Sequence, residues 1–142
     1  MDQAKIKSVM RWAIAAFYLV AGILHLVHPE PFLSILPRFV AWPRGIIAFT
    51  GLCEIAGSVG LLYPRTRMLA GIGLAAYAVC VFPANIKHSL DTASNVGWWY
   101  HAPRLALQPV LVWWALYCSG VAHWPFALQP AAASPLSAKP LC

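Results

Sequence analysis

Glu54 is the single carboxylate in the otherwise apolar run 46–62, IIAFTGLCEIAGSVGLL, and it is the natural place to look for chemistry. An Asp, Lys or Arg at the centre of a membrane helix costs roughly 2.5–3.5 kcal/mol on insertion scales, so a carboxylate there should face inward and have a partner. Other polar residues recur along the apolar stretches. Tyr18, His25 and His28 are spaced seven and three; Tyr77, Asn85 and His88 follow in a later stretch, and His101, Arg104 and Gln108 are spaced three and four. A carboxylate and an imidazole can pass a proton between them. A guanidinium and two amides can hold the oxygens of a ligand. Together these side chains would line a polar pocket.

Each has a plainer reading. Glu54 and Arg104 are expected to neutralise one another as a buried pair. His25, close to the end of its helix, can simply hydrogen-bond neighbouring backbone. His28, His88 and His101 fall where water begins, Asn85 after Pro83 suits a helix C-terminal cap, and the two tyrosines suit packing. His25-x-x-His28 with Glu54 could be weighed as a metal set, but closed metal motifs show tighter, repeated spacing, so none is expected.

The elements that must position these groups are read from hydropathy. The chain has 142 residues, 61% hydrophobic and 10% charged, with a mean hydropathy of +0.67. Soluble domains carry roughly 25% charged residues, so this chain belongs in a bilayer. Its net charge of +6 comes from basic residues scattered between apolar segments, which suits topology and lipid head groups, not nucleic acid. Four spans are expected at about 10–27, 46–62, 68–84 and 105–121, an all-α four-helix transmembrane bundle running up-down-up-down. The third span should close at Pro83, and 87–103 should be a polar, aromatic loop. The proline-broken stretch 28–44 is too interrupted to span, but Phe32, Ile35, Leu36 and Phe39 suit a short interfacial element. One domain, 1–128, precedes a Pro/Ala/Ser-rich tail, 129–142, expected to be disordered.

Within the second span, Thr50, Glu54 and Ser58 form an i, i+4, i+8 stripe, and Gly51, Gly57 and Gly60 allow close helix approach. Basic residues near helix ends favour both termini in the cytoplasm of a bacterial inner membrane: Lys5, Lys7, Arg11, Arg65, Arg67 and Lys139 against Arg38, Arg44, Lys87 and Arg104. On that layout the polar residues gather in the outer half of the bundle. Cys53, Cys80, Cys118 and Cys142 show no CxxC or ligand spacing, and three sit in apolar runs as small hydrophobes.

Five segments taken in order are HLVHPEPFLSILP from His25, GLCE ending at Glu54, LYPRTR ending at Arg67, VFPAN ending at Asn85, and PRLALQ ending at Gln108. Together they resemble the DoxX-like family of small membrane proteins, over roughly 13–116. The resemblance implies a four-helix membrane bundle and a loose association with quinone or thiol redox systems, among them a subunit of a thiosulfate:quinone oxidoreductase. It also implies that His25, Glu54, Asn85 and Arg104 are recurring polar positions. The chain departs from any dithiol scheme in having no paired cysteines.

The expectation is a redox-system subunit that binds a quinone or a similar amphipathic ring. Glu54 and His25 would relay protons, and Arg104, Asn85 and Gln108 would hold ring oxygens, with His28, His88, His101, Tyr18 and Tyr77 around them. A partner protein would supply electrons, and whether the chain is itself an enzyme stays open. The alternative is a non-catalytic assembly or anchoring protein. A small-solute transporter ranks behind both, since four spans offer no visible internal repeat. A homo-oligomer stays open.

Overall fold

Proline sets some helix boundaries in this chain and is overrun at others. The computed structural model describes residues 3–123. They form five helices: α1 (Gln3–Val27), α2 (Glu30–Leu33), α3 (Pro43–Leu62), α4 (Arg67–Val96) and α5 (Trp98–Ser119), with no strand among the described residues. Pro29 and Pro31 follow the end of α1. Pro43 occupies the first turn of α3, where its missing N–H costs nothing because that donor would be unsatisfied anyway. Pro83, Pro103 and Pro109 instead lie inside α4 and α5.

That placement corrects two boundaries. The stretch expected to end at Pro83 continues as helix to Val96, and 87–103 is not a loop. Proline removes one backbone hydrogen bond and crowds the preceding turn, and neighbouring helices can absorb the defect. Beyond it, Ser89 and Thr92 donate back to the Asn85 and His88 carbonyls, and Lys87 pairs with Asp91 one turn on. The true break is Gly97, at φ +83, a conformation open to residues without a Cβ. His101 and Arg104 therefore lie inside α5, not ahead of it. The segment after α1 is helical only over Glu30–Leu33, and Phe39 farther on is 87% exposed. The tail 129–142, and with it Lys139 and Cys142, lies outside the described residues.

Among the described residues, three helices are long and apolar enough to cross a membrane: Gln3–Val27, Pro43–Leu62 and Arg67–Val96. Their outward faces suit lipid, with Val59, Leu69 and Val79 each more than half exposed. In lipid, cohesion comes from close packing, because burying apolar surface gains nothing over contact with lipid tails. α1 packs mainly on α3 and α4 mainly on α5. A core of Ile14, Tyr18, Leu61, Leu74, Ala115 and Cys118 joins all four. Around it, the Trp114 indole donates to the Met10 carbonyl and Arg11 donates to that of Cys118.

Candidate functional site

A glycine pair sets the geometry of the site. A Cβ on Gly22 would stand 2.6 Å from the Gly51 carbonyl oxygen, and one on Gly51 would stand 2.8 Å from that of Gly22. Only glycine allows α1 and α3 to touch backbone to backbone here. One turn further along each helix come His25 and Glu54, and they meet. His25 Nδ1 is 2.8 Å from Glu54 Oε2 and 2.8 Å from the Ala21 carbonyl oxygen. Both neighbours are acceptors, so the proton belongs on Nδ1 and Nε2 is the imidazole's other working atom. The carbonyl is the better-aligned acceptor, which leaves Oε2 without a hydrogen bond of good geometry. Phe32 stacks on the imidazole at 3.8 Å between ring centroids.

The third wall comes from α4. The Tyr77 hydroxyl lies against Glu54 and Thr50, and Tyr18 packs edge-on against Tyr77 with its own hydroxyl buried and unpartnered. Of the polar stripe on α3, Glu54 reaches both α1 and α4, Thr50 meets only Tyr77 of α4, and Ser58 turns back on its own helix. The Thr50 and Ser58 hydroxyls donate to the Ile47 and Ile55 carbonyls of their own helix.

Arg104 does not pair with Glu54, contrary to expectation. Its Nη2 donates to Asn85 Oδ1 at 2.7 Å, and its guanidinium lies 5.3 Å from the Tyr100 ring centre. The reason lies in the α1–α3 contact, which brings His25 to the carboxylate, while the run of α4 past Pro83 brings Asn85 to the guanidinium. Asn85 is therefore an interhelical partner and not a cap.

These residues line one cavity of about 1470 Å³. Its walls include Tyr18 and His25 of α1, Glu54 of α3, Tyr77 and Asn85 of α4, and Arg104 and Gln108 of α5. It extends well past this polar end. Ile46 to Tyr63 line it on one side and Leu69 to Asn85 on the other, so it follows the gap between α3 and α4 and is not confined to one half. Phe49 and Leu69, both on its wall, are 66% and 73% exposed, so the gap opens sideways onto the apolar surface. Cys53 and Cys80 also line it as free thiols.

The remaining histidines lie elsewhere. His28 is exposed and does not line the cavity. His88 and His101 stack edge-on at 5.7 Å, with His101 fully buried and its Nε2 3.1 Å from the Thr92 hydroxyl. That hydroxyl already donates to the His88 carbonyl, so it accepts from Nε2–H and the two histidines form a separate α4–α5 cluster. Gly22 was not singled out in the sequence, and Phe32, expected in an interfacial element, was not expected at the site. Gly22 left a signal, since it precedes His25 by three residues as Gly51 precedes Glu54.

Residues 14–119 match DUF8561, a domain of unknown function. The chain belongs to that family. The DUF8561 match spans most of the stretch on which the DoxX resemblance rested, and it replaces that assignment. Short motifs of glycine, proline and isolated polar residues are common needs of packed membrane helices, which is why five of them in order were not decisive. No curated protein and no solved structure matches this DUF8561 chain.

Proposed function

We propose that this protein is a multi-pass membrane protein that binds an amphipathic small molecule, a quinone or a similar ring compound among them, in the α3–α4 cavity. One observation carries the reading. Among the described residues, three buried side-chain atoms of cavity residues, Tyr18 Oη, Arg104 Nη1 and Gln108 Oε1, lack a hydrogen-bond partner, and a fourth, Glu54 Oε2, has only the poorly aligned contact with His25. Buried polar atoms are nearly always paired, so three orphans on the residues of one cavity suit a site completed by a ligand. The sideways opening suits a ligand drawn from the bilayer.

In this reading α5 is a fourth span, the bundle runs up-down-up-down in a bacterial inner membrane, and both termini are cytoplasmic. Glu54 and His25 exchange a proton with the bound molecule, since their contact lets either hold it. Arg104, Asn85 and Gln108 hold its oxygens. Any redox chemistry draws its electrons from a partner protein.

A second reading, a structural brace without chemistry, is favoured by the crossing at Gly22 and Gly51, which His25 and Glu54 reinforce. The test is mass spectrometry of the organic extract from gently purified protein, wild type beside Glu54→Gln. A stoichiometric amphiphile in the wild type, lost from a still-folded variant, supports the binding reading. No enriched molecule in either sample favours the brace.

A further inference from the structure

The charges around the cavity do not balance. The chain has four acidic residues, of which Asp2 lies outside the described residues. The other three are each engaged: Glu54 with His25, Glu30 with Arg44, and Asp91 with Lys87. Among the described residues, Arg104 has only the neutral amide of Asn85, 2.7 Å away, and the ring face of Tyr100. His88 also lies near it and adds no negative charge. A guanidinium on the wall of an apolar cavity, with Nη1 buried and unpartnered, lacks the anion that such a group normally finds.

From this we infer that the Arg104 end of the cavity takes the anionic head group, carboxylate or phosphate, of an amphiphile whose tail lies in the α3–α4 groove. The inference rests on the small-molecule reading above and names its ligand class. Arg104 presents a planar fork of donors that matches such oxygens, and Asn85 holds the fork in place through Nη2. Gln108 follows one turn later on the same helix. A half-turn of its amide replaces the unpartnered Oε1 with a donor aimed at the same anion.

The rest of the cavity suits a tail. On α4 it runs from Asn85 back to Leu69, sixteen steps along the helix, which is about 24 Å. Its volume, about 1470 Å³, exceeds the roughly 300–1,000 Å³ of ordinary small-molecule pockets. Phe49 and Leu69 at the open side let a chain slide in from the bilayer without leaving apolar surroundings.

The test uses full-length protein in a neutral detergent, with binding read by native mass spectrometry. Four probes are compared: palmitate, its methyl ester, a lysophosphatidic acid of equal chain length, and inorganic phosphate. Palmitate or the lysophosphatidic acid should bind about tenfold or more tightly than the methyl ester, and phosphate without a tail should not bind. Comparing the two acids identifies which anion, and so which lipid source, the site prefers. Arg104→Gln should erase the preference for acid over ester, with ester binding kept. Asn85→Asp should do the same by giving Arg104 a carboxylate of its own, so the conclusion does not hang on one variant folding. Equal binding of acid and ester to the wild type overturns the inference and leaves the cavity reading intact. Binding of neither overturns both.

Discussion

His25 Nδ1 stands 2.8 Å from Glu54 Oε2, beside the crossing where Gly22 and Gly51 press α1 against α3. Backbone contact and polar contact are thus one arrangement. The glycines decide how close the helices come, and that closeness decides which partner the buried carboxylate finds.

The pair should behave as a coupled unit. His25→Gln and Glu54→Gln each leave a buried polar group poorly matched, at about 1–3 kcal/mol apiece. Their double mutant should show a coupling of about 0.5–3 kcal/mol by reversible unfolding in detergent. Strict additivity would show that the contact carries no energy. His28→Gln, on the exposed side, should leave stability unchanged.

The glycine crossing gives a steric prediction. Gly51→Ala places a methyl against the Gly22 carbonyl oxygen and should destabilise by about 1–3 kcal/mol, while loosening the His25–Glu54 contact. Gly73→Ala meets nothing within 4 Å and should be neutral or slightly stabilising. Melting temperatures of the two variants, measured side by side, check the contrast.

Thiol labelling reports the shape of the cavity. In a Cys142→Ser background, N-ethylmaleimide in mild detergent should modify exposed Cys80 first and half-buried Cys53 more slowly. Cys118, 1% exposed, should react only on unfolding. Intact mass against time gives the order, and early labelling of Cys118 would contradict the packed core around it.

His101 should matter for stability and not for the ligand. His101→Phe keeps the ring but loses the contact with Thr92, at about 1 kcal/mol. Binding of any amphiphile to the cavity should be unchanged, because His101 is not on its wall. A loss of binding without a loss of stability would return His101 to the site.

Hydropathy alone determined that this chain is helical and suited to a membrane, since its apolar runs are of helical span length and unbroken, without the in–out alternation that the other membrane-spanning solution, a closed barrel, requires. The oddness of Glu54 was legible for the same reason: a charge in such a run is expensive wherever the helix goes. Its closeness to His25, Tyr77, Asn85, Arg104 and Gln108 around one space was also legible, as a gathering of polar groups at one end. Tertiary structure decided the pairing. Coulomb attraction favours Arg104 as the partner of Glu54, and nothing local forbids it. Two glycines on different helices put His25 there first. It also decided that Pro83 does not end its helix, because what rescues a proline is the side chains and helices packed around it. The extent of the cavity along α3 and α4, beyond the polar end, belongs to the tertiary level, since a gap between two helices depends on how far they stand apart and on no single residue in either.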